Sequence, residues 1–156
     1  MMTLRKLVLR LAFALLSALI SSCHAEPNNG NAYTSSSNQT MGLDVVGYNH
    51  TDHAIGDFSV NDRGGAFEAA HSGGGASCCI AIPEKYTPGM TVTVTWTDQY
   101  NEHPQSRVVP VPPYTSEDGG EFHVHFLRNG EIKVFVTAII FLSNPDYPLK
   151  GAEAKM

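Results

Sequence analysis

Two close-set pairs of residues carry most of the chemical potential in this chain. His123 and His125 are two apart, so in an extended strand both imidazoles fall on one face, opposite Phe122, Val124 and Phe126. Such a pair can hold zinc or copper, but a site needs a third and usually a fourth ligand. His71, His103 and Asp98 are candidates only if the fold gathers them. The plainer reading is the polar face of a solvated strand, so the pair is a weak metal candidate and no metal is expected.

Cys78 and Cys79 are adjacent. Two free or buried thiols, a vicinal disulfide, and a redox or metal role all remain open. Neighbouring Cα atoms stand about 3.8 Å apart against about 4.4 to 6.8 Å in ordinary disulfides, so a vicinal bond would be strained and comparatively easy to reduce. The alternation with Ile80 and Ile82 aims Cys78 at a core and puts Cys79 on the face of Ala81.

The remaining motifs read as punctuation. Ser72-Gly73-Gly74-Gly75 could suggest an anion cradle, but it leads into a strand and not a helix, so a mobile glycine loop is expected. Glu117-Asp118 and Glu121 cluster around Gly119-Gly120 as a solvated acidic turn or a partner-binding loop. There is no Gly-x-Ser-x-Gly elbow and no His-Glu-x-x-His pair. The chain is therefore not expected to be an enzyme, and no cofactor is expected.

The elements that must position these residues are strands. Met90, Val92, Val94 and Trp96 alternate with Thr91, Thr93, Thr95 and Thr97, one side to pack and one to meet water. Similar reasoning places strands at 43–48, 55–60, 78–82, 107–111, 122–127 and 132–141. The last is apolar on both faces, through Ile132, Val134, Val136 and Ile140 on one and Phe135, Ile139 and Phe141 on the other, which predicts a central position. Arg128-Asn129-Gly130-Glu131 predicts a type I′ hairpin between the final two strands. With no convincing helical period, the expectation is an all-β fold: a small antiparallel β-sandwich of immunoglobulin-like architecture, about seven strands over residues 43–150, with a disordered tail at 151–156.

The first residues have a different purpose. Arg5, Lys6 and Arg10 precede an apolar run from Leu11 to Ile20, and small residues follow, the pattern of a signal peptide too short to cross about 30 Å of hydrocarbon. Ile20-Ser21-Ser22-Cys23 resembles the lipobox of bacterial lipoproteins. The resemblance implies cleavage after residue 22, diacylglycerol on the Cys23 thiol and an acylated amine, a durable anchor at about 0.8 kcal/mol per buried methylene. Ordinary secretion with cleavage after Ala25 is the alternative. His24, where the family usually carries an aspartate for inner-membrane retention, points to the outer membrane facing the periplasm. Beyond the cut, seven basic residues face fifteen acidic ones, a formal net charge of −8. That argues against nucleic acid or an anionic membrane surface as a partner. Residues 23–42 form the lipidated end and a flexible tether rich in Asn, Ser and Gly, spanning roughly 20 to 25 Å as a coil.

Several segments together resemble one family of small bacterial lipoproteins catalogued only as a domain of unknown function. They are Val46-Gly47-Tyr48-Asn49-His50-Thr51-Asp52, Ile55-Gly56-Asp57-Phe58-Ser59-Val60-Asn61, Gly73-Gly74-Gly75 with Cys78-Cys79, the strand from Thr91 to Trp96, Val124-His125-Phe126-Leu127 and Asn144-Pro145-Asp146-Tyr147-Pro148-Leu149. Members often occur beside phospholipase effectors of the type VI secretion system. The resemblance implies an immunity lipoprotein that neutralises such a toxin in the periplasm, with no catalytic residues to carry over. The loops expected to grip a partner are Asn49, His50, Thr51 and Asp52, a segment that also reads as a structural turn, and the stretch containing Tyr114, Glu117 and Asp118. A structural or assembly lipoprotein and a metal or redox protein of the envelope are the competing readings.

Overall fold

The computed structural model describes residues 39–156, so the expected signal peptide, Cys23 and the expected tether up to residue 38 lie outside the described residues. Seven strands follow in order: β1 (Thr40–Asn49), β2 (Ile55–Val60), β3 (Ser72–Pro83), β4 (Thr91–Asp98), β5 (Gln105–Pro110), β6 (Glu121–Phe126) and β7 (Ile132–Thr137). They form a four-stranded sheet in the order β3-β1-β6-β7 and a three-stranded sheet in the order β2-β4-β5. The fold is an all-β sandwich, as the alternating patterns imply. Every pairing is antiparallel except β1 with β6, which runs parallel.

The core lies between the sheets. Leu43 and Val45 of β1, Phe122, Val124 and Phe126 of β6, and Val134 and Val136 of β7 meet Phe58, Val60, Val92, Val94 and Val109 from the smaller sheet. Burying each of these side chains contributes about 1.5 to 3 kcal/mol, which is why strict alternation in the sequence translates into sheet faces. The threonines of β4 stay on the other side, and Thr95 hydrogen-bonds Ser59 across the strand pair at 2.7 Å.

Several sequence expectations are corrected. The domain begins earlier than residue 43, because Thr40, Met41 and Gly42 pair with Pro83, Ile82 and Ala81. The glycine segment is not a mobile loop: Gly73, Gly74 and Gly75 lie within β3, an edge strand. A Cβ on Gly73 would stand 2.6 Å from the Gly47 carbonyl oxygen and from Tyr48 Cδ1, so the close approach of β3 to β1 demands glycine.

The final strand stops at Thr137, whose hydroxyl accepts the Ile139 amide at 3.0 Å, and Ile140 and Phe141 emerge into solvent. β7 is an edge strand, not a central one. Its outer face is covered by the chain that follows, which makes both faces apolar without a central position. That chain forms a second cluster in which Tyr147, Leu149 and Leu127 pack with Phe135, Ile139, Leu142 and Ala154. Residues 151–156 are thus not a disordered tail: Gly151–Ala154 is a 3-10 turn, and Lys133 Nζ pairs with Glu153 at 2.6 Å.

The β6–β7 hairpin exists but is not type I′. Leu127 N–H donates to the Glu131 carbonyl at 2.9 Å around a three-residue loop, and Gly130 at φ 80° has positive φ while Asn129 does not. One left-handed glycine is what a three-residue hairpin loop requires.

Candidate functional site

The outer face of the larger sheet carries Val46 and Tyr48 on β1, with His50 just beyond its end, and Glu121, His123 and His125 on β6. The parallel register sets Val46 beside His123 and Tyr48 beside His125. Residues 138–156 close over this face as a strap and bring Tyr147 onto it. His50, His123, His125 and Tyr147 are all fully buried. The face expected to be solvated is therefore sealed, and the histidines lie in an internal polar network.

The network is linear. His50 Nδ1 lies 2.9 Å from the Lys155 carbonyl oxygen, and His50 Nε2 lies 2.9 Å from His125 Nδ1. His125 Nε2 is 2.6 Å from the Tyr147 hydroxyl, which is 2.7 Å from His123 Nδ1, and His123 Nε2 is 2.7 Å from Glu121 Oε2. Tyr48 stacks on His125 with ring centroids 4.7 Å apart and planes 9° from parallel.

A carbonyl oxygen can only accept, and this sets the direction of the chain. His50 donates through Nδ1 and accepts through Nε2; His125 donates through Nδ1 and accepts the Tyr147 O–H through Nε2; Tyr147 accepts from His123 Nδ1–H. The tautomers follow from the partners. These five links need five hydrogens, and three neutral imidazoles with one phenol supply four. The fifth link, His123 Nε2 to Glu121 Oε2 at 2.7 Å, ends the chain at a partly exposed carboxylate.

Burial dominates the electrostatics. It lowers the pKa of His50, partly opposed by the Lys155 carbonyl, and lowers that of His123, partly opposed by Glu121. His125 is pushed well below the ordinary imidazole value by burial first and then by His50 and His123. Burial also raises Tyr147, with Tyr48 and Glu121 adding to it, and raises Tyr48. Such rings are held neutral because charging one costs more than its hydrogen bonds return. A buried acid lies nearby: Glu68 is pushed up to about 7 by burial, and its Oε1 has no hydrogen-bond partner.

This arrangement clamps the strap to the sheet and can pass hydrogens along a line, but it leaves no nitrogen free for a metal. All four ring nitrogens of His123 and His125 are engaged. The proposed additional ligands lie elsewhere, His71 bonded to Asp52 at 2.8 Å and His103 to Asp98 at 2.7 Å. The weak metal reading of the histidine pair falls on that geometry.

Some of the predicted partner contacts are internal instead. Asn49 is fully buried: its Nδ2 donates to the carbonyls of His53 at 2.7 Å and Ala69 at 3.1 Å, and its Oδ1 accepts from Thr51 N and Oγ1. It is the hub of a structural turn, and His50 belongs to the network. Of that segment, Asp52 is exposed and Thr51 partly so. Tyr114 is also core, with its hydroxyl donating to the Pro83 carbonyl at 2.7 Å. Glu117 is exposed, while Asp118 Oδ2 accepts from Thr115 N at 2.8 Å to close a 3-10 turn over Ser116–Asp118.

Cys78 and Cys79 are joined in a disulfide across a cis peptide bond. Neither faces the core as alternation predicted for Cys78, which is exposed, while Cys79 is half-buried. A register shift between Leu43 and Val45 resets the alternation at that point. Sequence reasoning missed Tyr48, Glu68 and Tyr147, and read Glu121 as part of an acidic turn instead of the partner of His123. The period-two run Val46, Tyr48, His50 was a signal for a second buried face on β1.

A two-sheet sandwich whose outer sheet face is sealed by a C-terminal strap over a histidine–tyrosine chain is the class this fold and site define. The chain belongs to the family described as protein of unknown function, DUF3304, which matches residues 48–134. That span includes His50, both cysteines, His123 and His125 and ends before Tyr147. No curated protein and no solved structure matches the chain.

Proposed function

We propose that this chain is a lipid-anchored periplasmic binding protein of the bacterial cell envelope that neutralises a type VI secretion phospholipase effector. The observation that carries the anchor is Ile20-Ser21-Ser22-Cys23 directly after the apolar run. The immunity reading rests on the resemblance of the segments quoted above to lipoproteins found beside such effectors. A preformed sandwich whose His50, His123, His125 and Tyr147 are consumed internally supports a role in binding, because a rigid surface loses little entropy on association.

The surface that fits such a role lies where β7 gives way to the strap. Ile140 and Phe141 project there, 48% and 68% exposed. Beside them is a cleft of about 240 Å³ lined by Pro112, Pro113, Asp118, Ile139 and Asp146. Apolar anchors with acidic neighbours suit a basic toxin face, since aromatic groups supply affinity and charge speeds capture.

The test has two arms. Cys23→Ala should release the chain from the membrane fraction, and co-expression with a type VI secretion phospholipase effector from the same genome should restore growth, with Phe141→Ala weakening that protection. A Cys23→Ala chain that still sediments with membranes removes the anchor. Failure of the intact chain to bind or protect against the phospholipase effectors of its own genome removes the immunity reading.

A further inference from the structure

The disulfide pair lies beside a carboxylate. Leu43 pairs with Ile80 and Val45 with Ser77, so between them one residue of β1, Asp44, faces two of β3, Cys78 and Cys79. A bulge of this kind re-aims side chains that regular alternation would separate. Cys79 Sγ lies 3.4 Å from Asp44 Oδ1. In the disulfide that sulfur has no hydrogen to donate, so the contact is not a hydrogen bond. One ligand atom from each of Asp44, Cys78 and Cys79 lies within 4.8 Å of the others. Asp44 and Cys78 are exposed, so an ion has a path in. Glu121 sits beside Asp44 in register and adds negative charge to the same neighbourhood.

We propose that Asp44, Cys78 and Cys79 form a redox-gated site for a thiophilic divalent cation, zinc or a close analogue, closed while the cysteines are oxidised and opened when they are reduced. An external dithiol reduces the Cys78–Cys79 bond, yielding two thiols while the dithiol becomes a disulfide. The cation then displaces one proton from each thiol, forming two metal–sulfur bonds, and the Asp44 carboxylate supplies the third ligand. A sulfur at about 2.3 Å and an oxygen at about 2.0 Å from zinc, at a tetrahedral angle, stand about 3.5 Å apart. The sulfur–oxygen spacing already matches one edge of that tetrahedron. Three protein ligands leave a fourth position for water or a partner's side chain.

The test uses the purified chain reduced with a water-soluble phosphine, desalted under argon and titrated with cobalt as the spectroscopic probe, followed by zinc displacement. The reduced chain should develop a thiolate-to-cobalt charge-transfer band saturating at one ion per chain, which zinc abolishes, while the oxidised chain shows none. Asp44→Asn should weaken cobalt binding by about tenfold or more while keeping the band, and Cys78→Ser with Cys79→Ser should remove it. Circular dichroism of the oxidised and reduced chains checks that the sandwich survives reduction. Loss of the sandwich on reduction, absence of the band, saturation at one ion per two chains, or an Asp44→Asn chain that binds as tightly as the parent would each overturn the proposal.

Discussion

Tyr147 has the most concentrated role of any single side chain, because its one hydroxyl closes two links of the buried chain, to His123 and to His125. Tyr147→Phe keeps the ring and its packing but leaves His123 Nδ1–H and His125 Nε2 without partners in a face that water does not reach. Each orphaned buried group costs about 1 to 3 kcal/mol, so the substitution should destabilise the fold by about 3 kcal/mol, read as a shift in the urea midpoint with unchanged slope. A cost below about 0.5 kcal/mol would mean that the chain of links contributes little. Neither His123 nor His125 announces this role in the sequence, where a pair of alternating histidines on a strand looks like any solvated face.

At the level of elements, β1 and β3 show how backbone proximity limits side chains. Gly73 sits where a methyl group would press on the Gly47 carbonyl and the Tyr48 ring. Gly73→Ala must push β3 away from β1, at a cost of about 2 kcal/mol in overpacking. Hydrogen exchange of the β1–β3 amides should accelerate while the β4–β5 amides hold. Uniform acceleration across both sheets would show that the edge does not yield independently. The strands themselves were largely legible: Val92 and Val94 fall inward and Phe122, Val124 and Phe126 line the core as period two requires. The glycine run was not, because nothing in Gly73-Gly74-Gly75 distinguishes a loop from a strand chosen for close approach.

The whole molecule carries two opposed dependences on pH. His50, His123 and His125 are held neutral below the ordinary imidazole value of 6.5, so the unfolded chain takes up protons that the folded one refuses. Their contribution is complete above about 6.5 and is lost as pH falls below it. Glu68 works the other way: its pKa rises from 4.5 to about 7, so the folded state keeps a proton the unfolded state has lost, and stability falls as pH rises through that window. Thermal melting across pH should therefore show an acid limb and a neutral-range decline. Glu68→Gln should abolish the decline, gaining on the order of 3 kcal/mol at pH 8 and nothing at pH 4. An unchanged profile in that variant would place the decline elsewhere.

The sequence by itself determined the all-β class, the approximate position of all seven strands and most of the inward residues of the sandwich, though not Cys78 or Tyr114, because period-two alternation is a local consequence of strand geometry. It also placed the cysteines side by side and marked Cys23 as the residue to expect a lipid on. Only the tertiary structure decided what covers the outer face of the larger sheet. Tyr147 lies 22 residues from His125 and Lys155 lies 105 from His50, and no local pattern links such partners. Whether a histidine is solvated or sealed depends on the chain that folds over it, and here the strap turned a polar-looking strand face into a buried hydrogen-bonded chain.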